Sequence, residues 1–378
     1  MEAASKQVNL YLSSNCEDLF GREMMETLLL EFEEKNPDIR IRLAYNSAAD
    51  ILFFDEGDSN LLFTGGLLTE LNSFTNYESG SQQLAIPLAS FMDMLFYNID
   101  ILSAAGFDHP PRTREAFTSY ARAVTRGNFN ASGAAISLSG QDRQALSRDI
   151  FSWIWAAGGD FFPNEGSPVL NTRAIVNDLS FLGVLNRDGL LAPDIFETTG
   201  EQRLEEFSQG KTAMMIASTR AIPYLREKMG DSAFGVTTIP DAGTGGRYSV
   251  GLSAIYAGIS AGTAYPNEAW NFLLFLVEKC SLLCADLKAV PGMVSNIIPG
   301  DYVKDDPFYS KAWDIFESAW IAESFSGKPN AQEYETAFLE ELQIFFETNR
   351  TAQQTVNVIQ QRWNEIVLEK LEIEDDEL

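Results

Sequence analysis

The chain is short of histidine, of cysteine and of positive charge, and each shortage removes a class of function. His109 is the only histidine, and with no HExxH pattern, EF-hand loop or Cys/His cluster, neither a metal nor a cofactor is expected. Cys16, Cys280 and Cys284 are odd in number and lack CxxC spacing, so neither a disulfide framework nor a zinc ligand set is indicated. Cys280 and Cys284 fall four apart on a predicted helix and read as small core residues. Lys and Arg number 27 against 54 Asp and Glu, a formal net charge of -27, which repels nucleic acid and anionic bilayers. Long apolar runs are missing too: residues 269–287 are interrupted by Glu278, Lys279 and Asp286, and cannot supply the roughly 20 apolar residues of a membrane span. Residues 1–6 lack a basic start followed by an apolar stretch, so no export signal is legible, and an exported form would have lost its leader.

What remains is a globular composition, 45% hydrophobic and 21% charged. At 378 residues the chain exceeds the roughly 250–300 at which single cores stop growing, which predicts two domains. Val8 to Leu12 reads as a strand, and Leu19, Met24, Met25, Leu28, Leu29 and Phe32 follow at helical spacing up to Lys35, Asn36 and Pro37. Ile39, Ile41 and Leu43 alternate with Arg40 and Arg42 in a second strand, and residues 51–54 form a third that ends in Asp55, Glu56 and Asp58. Thr113 after Pro110 and Pro111 caps a helix. Strands are predicted over 213–216, 234–239 and 250–259, and helices over 313–320, 334–346 and 355–368, with residues 369–378 a fraying acidic tail. The alternation makes the fold class α/β.

Three motifs bear on chemistry. Gly258, Ser260 and Gly262 match the GxSxG elbow of serine hydrolases, but that arrangement needs a histidine after the serine, and His109 precedes it; the motif reads as a strand-end turn. The glycines from Asp241 to Arg247 lack the GK[ST] ending that holds phosphate, and read as a surface turn. Asp55, Glu56 and Asp58 leave three readings open: acid and nucleophile of a glycosidase, acceptors for sugar hydroxyls, or surface charge.

Several passages, in order, resemble the bacterial extracellular solute-binding proteins, the family of maltose-binding and other sugar-binding proteins. They are Leu30 to Ile41, with Asn36-Pro37-Asp38-Ile39 at its centre; Ala49 to Phe54 leading to Gly65-Gly66-Leu67-Leu68; and Ala85-Ile86-Pro87 with Leu95-Phe96-Tyr97-Asn98, Ala105-Gly106-Phe107 and Pro110-Pro111-Arg112-Thr113. Phe207 to Met215, around Gly210-Lys211, and Ala269-Trp270-Asn271-Phe272-Leu273 complete the set.

The resemblance implies a type II periplasmic-binding-protein fold: two α/β lobes, each a central sheet flanked by helices, joined by a hinge the chain crosses several times. It places the N-terminal lobe at 1–89 plus 254–300, the C-terminal lobe at 90–253 plus 301–378, and crossings near 89–93, 250–254 and 299–306. It implies a non-enzymatic, monomeric, extracytoplasmic subunit, lipid-anchored or free, that closes around a small carbohydrate and delivers it to ABC permease subunits. Aligned with the family, the ligand-binding candidates are Asn15, Glu17, Glu56, Asp58, Ser90, Asp93, Arg148, Trp153, Arg220, Tyr248 and Tyr334.

Two departures qualify this expectation. Only about four residues, Asn46 to Ala49, separate the second and third strands, where the family has a helix and where parallel neighbours need roughly a dozen residues. Arg220 stands where sugar binders place a stacking ring, and Arg148 falls near another such position, with Trp153 as a possible substitute. Two arginines at a ligand site favour a carboxylate or phosphate, unless both are spent on salt bridges. A non-transport interaction or sensor lipoprotein on the same fold is the other alternative.

Overall fold

The structure is a computed structural model that describes residues 7–45, 48–74, 83–142, 144–163, 168–243, 247–291 and 301–376. Its strands are β1 (Val8–Ser13), β2 (Ile39–Ala44), β3 (Ile51–Asp55), β4 (Ala85–Asn98), β5 (Met214–Ser218), β6 (Phe234–Thr237), β7 (Ser249–Val250), β8 (Leu252–Ile259), β9 (Val290–Pro291) and β10 (Trp320–Ile321). The chain divides into two compact units, the first comprising residues 1–91, 253–306 and 326–329, the second 92–252, 307–325 and 330–378.

In the first unit the strand order is β2-β1-β3-β8-β4, with β9 on β4. Leu10, Leu12, Ile39 and Ile41 point to one side and are buried under the helix α2 (Arg22–Lys35), whose Met25, Leu28 and Phe32 meet them in one core. Phe32 packs edge-on against Phe272 at 5.0 Å, from the helix Pro266–Glu278. The helical pattern from Leu19 is two helices, α1 (Cys16–Phe20) and α2, because Gly21 takes φ 83°, a region open to glycine and outside helical geometry. Cys280 and Cys284 lie buried in this core with their sulfurs 3.8 Å apart and joined by no disulfide. The GxSxG segment closes β8 as a turn, the Gly262 N–H donating to Ser260 Oγ at 3.3 Å.

The short connection after β2 has a geometric explanation. β2 and β3 are not neighbours: β1 lies between them and runs parallel to both. β2 pairs with the whole of β1, from Val8↔Ile39 to Ser13↔Ala44, whereas β3 meets it only at Leu12↔Ile51. β3 is therefore shifted along the strand direction and begins where β2 ends. The chain from Ala44 to Ile51 has only to step over one strand, roughly 10 Å, and can reach roughly 23 Å, so no returning helix is required.

Asp50 fastens this step. Its carboxylate accepts from the Tyr11 N–H at 2.8 Å and from Thr263 Oγ1 at 2.6 Å, while its own N–H donates to Tyr11 O at 2.7 Å. Asp50→Ala is expected to cost about 1–3 kcal/mol through the donors it strands, read as a lowered denaturant midpoint for the first unit.

In the second unit β4 runs antiparallel to both β5 (Leu95↔Ile216) and β6 (Phe96↔Val236). The core is aromatic: Phe151 lies 4.6 Å from Phe161, 5.1 Å from Phe338 and 5.5 Å from Phe325, ring centre to ring centre. Phe151 ends a π-helical turn, Ser147–Phe151, that leads into the helix Ser152–Ala156. The helix Arg114–Arg126 opens as its sequence predicts, with Thr113 Oγ1 accepting from the Ala116 N–H at 3.2 Å. The C-terminal helix spans Ala352–Asp376, so residues 369–376 of the acidic stretch expected to fray continue a helix whose Val356, Ile359 and Trp363 are buried, and residues 377–378 lie outside the described residues. Among the described residues no helix is long and apolar enough to cross a membrane.

Candidate functional site

In the first unit the candidates gather at the C-terminal ends of β1 and β3, the end of a parallel strand set where open α/β sheets bind ligands. Asn15, following β1, donates from Nδ2 to Phe53 O at 2.8 Å, and Ser13 Oγ accepts from the Phe53 N–H at 2.8 Å. These two bonds fix the loop after β1 against β3. The Asn15 Oδ1 is buried and has no partner among the described residues. Glu17, in the first turn of α1, pairs with Arg22 at 3.3 Å.

The carboxylates after β3 do not trail off the strand. They open the helix α3 (Glu56–Thr64), with Asp55 as its cap, accepting from the Gly57 N–H at 2.9 Å. Negative charge at a helix start is favourable, a signal present in the sequence but read there as a strand end. Asp58 is exposed on the first turn. Glu56 turns inward and accepts from Tyr256 Oη at 3.0 Å, with further bonds from the Ser326 side chain and the Ala254 N–H. Burial pushes its pKa up, and these three donors pull it back. Tyr256 is raised in turn, by burial and then by the Glu56 charge, and its ring stacks on Phe54 at 5.3 Å. Ser90 is buried on β4, opposite Val290 of β9.

In the second unit, Asp93 on β4 donates its N–H to Gly251 O at 3.2 Å, and its Oδ2 accepts from Ser152 Oγ at 3.4 Å. Arg148 is enclosed by carboxylates: Nε and Nη2 reach Asp149 Oδ2 at 3.0 and 2.7 Å, and Nη2 reaches Asp142 Oδ2 at 3.0 Å. Burial opposes the guanidinium charge but Asp149 and Asp142 outweigh it, so its pKa rises; burial lifts Asp149 to about 6 against the pull of Arg148. Trp153 and Tyr334 are closed off in the aromatic core, 2% and 4% exposed, Trp153 against Phe117 and Phe181, Tyr334 against Phe325 and Trp363. Neither offers a free ring face. Tyr248 Oη accepts from the Ile239 N–H at 3.1 Å, and burial raises its pKa. Arg220 is exposed just ahead of the helix Ala221–Met229.

One exposed ring was not among the sequence candidates. Residues 313–320 were expected as helix to their end, but the helix Pro307–Ser318 stops short and Trp320 enters β10 as a residue 56% exposed. Arg247 lies over it, Cζ 3.2 Å from the ring centre. Among the described residues no group of three His, Cys, Asp or Glu side chains is placed to hold a metal ion.

Comparison with known proteins accounts for this architecture. The bacterial extracellular solute-binding protein model matches residues 21–279. A "Probable ABC transporter-binding protein" of Deinococcus radiodurans is 24% identical over 257 residues, 65% of this chain and 59% of that protein. The chain spans about half the length of the curated relatives it matches. Among solved structures, the cyclic alpha-maltosyl-1,6-maltose binding protein from Arthrobacter globiformis has a TM-score of 0.76 at 15% identity, covering 95% of this chain and 98% of that one. UgpB from Mycobacterium tuberculosis, in complex with glycerophosphocholine, has a TM-score of 0.74 at 16% identity, covering 97% of this chain and 100% of that one. The shared fold is that of type II periplasmic binding proteins.

Proposed function

The chain belongs to the bacterial extracellular solute-binding protein family, and from that premise we propose that it captures a small carbohydrate for an ABC importer, closing its two units on the solute by a hinge motion. It works outside the cytoplasmic membrane, free or lipid-anchored, as a monomer that hands its cargo to permease subunits. Capture needs no covalent step; the solute selects the closed state through its differential affinity for it.

The observation that carries the carbohydrate reading is Asn15 Oδ1, a buried acceptor at the ligand end of the first sheet that no described residue satisfies. Such an atom costs free energy until a donor reaches it, and a sugar hydroxyl is a donor of the right kind. The exposed carboxylate of Asp58 adds a further acceptor nearby in sequence. An anionic solute has less support, because Arg148 is already neutralised by Asp142 and Asp149. Two structural neighbours, a maltose-bound protein and a cyclic alpha-maltosyl-1,6-maltose binding protein, are in line with this choice.

A thermal-shift panel tests it. At 100 times its dissociation constant a cognate sugar stabilises the native state by about 2.7 kcal/mol. We expect mono- or oligosaccharides to raise the melting temperature and sugar phosphates and glycerophosphodiesters to leave it unchanged. A response confined to the anionic compounds would reassign the ligand to Arg220, and silence across the panel would favour an interaction or sensor role without transport.

A further inference from the structure

We propose that β2 is a strand-pairing edge that the protein keeps closed with three of its own side chains, Glu33, Arg40 and Arg42, and that the partner so refused is the β2 of a second copy of this chain. The inference stands apart from the solute reading and gives a physical reason for the monomer proposed with it.

β2 heads the strand order of the first unit, and among the described residues β1 is the only strand that pairs with it. An edge strand offers a row of backbone N–H and C=O groups to any further strand. Two identical edges satisfy each other about a two-fold axis, as an antiparallel pair. Which groups of β2 face outward follows from its bonds. Along a strand between two neighbours, successive residues turn their backbone groups alternately to one side and the other. The Val8 N–H donates to Asp38 O at 2.8 Å, so residues 38, 40 and 42 turn to β1, and Ile39, Ile41 and Leu43 turn away.

The outward groups of Ile39 and Ile41 are already taken. Ile39 N–H donates to Asn36 O at 2.9 Å, and Ile39 O accepts from Arg40 Nη1 at 2.9 Å. Ile41 N–H donates to Glu33 Oε1 at 2.7 Å, and Ile41 O accepts from Arg42 Nη1 at 2.6 Å. The alternation of the strand makes this possible: Ile39 and Ile41 are buried under α2, and the arginines stand on the other face, long enough to curl over the edge to the carbonyl one residue earlier.

Glu33 reaches the edge from α2, and Arg40 Nε and Arg42 Nη1 lie 3.8 and 3.4 Å from its oxygens, so the three charges hold one another in place. Hydrogen bonds to an ionised partner are stronger than the neutral amide bonds an incoming strand brings, so displacing these side chains is unfavourable. Within β2 that leaves at most Leu43 for pairing, one position where a ladder needs several.

Sedimentation velocity of the full chain over a wide concentration range tests the inference. The wild type is expected to stay monomeric. Glu33→Ala combined with Arg42→Ala uncovers both outward groups of Ile41 and is expected to raise the self-association constant about ten-fold or more. The product should be a reversible dimer with wild-type circular dichroism and slowed amide exchange across residues 39–43. Glu33→Gln keeps an acceptor for the Ile41 N–H and should remain monomeric, which separates closure of the edge from the charge of the carboxylate. If the double variant folds poorly, Arg40→Ala with Arg42→Ala replaces it, since that pair opens both carbonyls and leaves the bond from Ile41 N–H to Glu33 in place; the same dimer is expected, more weakly associated. A folded variant that stays monomeric at every concentration, or a dimer whose 39–43 amides exchange as freely as in the monomer, would overturn the inference. A wild type already dimeric through another surface would overturn the proposed monomer alone, because its β2 amides would exchange alike in both states.

Discussion

Arg114→Ala is expected to destabilise the second unit by about 3–5 kcal/mol, enough to separate its unfolding transition from that of the first unit in guanidinium. Arg114 is 6% exposed and Asp178 0%, and their Nη1–Oδ1 contact is 2.5 Å. Arg114 Nη2 also donates to Trp153 O at 2.8 Å, and the guanidinium lies over Phe181 at 4.8 Å and Trp153 at 5.8 Å. Truncation leaves a carboxylate in the core without its counter-charge, a carbonyl without its donor, and a void beside two rings. The intact pair itself contributes little, because desolvation offsets most of its attraction. Replacing both members, Arg114→Met with Asp178→Leu, is therefore expected to recover most of the loss. A double variant as unstable as Arg114→Ala alone would mean that the pair, rather than the stranded charge, holds the unit together.

Acidification should strengthen the same unit. Burial lifts Asp178 to about 6, against the pull of Arg114, and Asp149 likewise reaches about 6. A carboxyl whose folded pKa lies above its unfolded value near 3.9 binds its proton more readily when native. Its contribution is fully present below about pH 4 and is lost as pH rises through about 6, so stability increases on going from pH 7 towards pH 4. Each carboxyl contributes on the order of 2–3 kcal/mol over that interval. Glu31 in the first unit has the opposite sign: hydrogen bonds from Lys279 and Lys35 hold its pKa low, so that clamp weakens as pH falls. Melting curves between pH 4 and 7 at high salt, which screens the general relief of net charge, should show the second unit gaining. Asp178→Asn should flatten its share of the rise, and an unchanged slope in that variant would refute the assignment.

The fold was legible where periodicity and caps agreed. The alternation in Ile39, Ile41 and Leu43, the helical spacing of Met25, Leu28 and Phe32, and the Thr113 cap each describe an element that can be decided within a few residues. Order across the sheet was not legible in the same way. Nothing local tells that β1 lies between β2 and β3, and taking the two as neighbours made an ordinary step look like a missing helix.

The candidate site was harder for a related reason. Sequence identifies residue types that suit a ligand but not which way they face. Glu56 turns into Tyr256, Arg148 is taken up by Asp142 and Asp149, and Trp153 and Tyr334 fill the core. Trp320 was assigned to a helix that ends at Ser318, whereas it pairs with Ser249 in a short strand and is exposed.

The three thiols bear on how motion in this protein can be followed. Cys16, Cys280 and Cys284 are buried, Cys16 is raised to about 12 by burial and the neighbouring Glu17, and Cys284 is raised by its bond to Cys280 and by burial. Thiols kept protonated and out of solvent react slowly with maleimides. A surface cysteine introduced in each unit can thus carry a fluorophore or spin label on the otherwise native chain, giving a direct spectroscopic ruler for the proposed hinge closure.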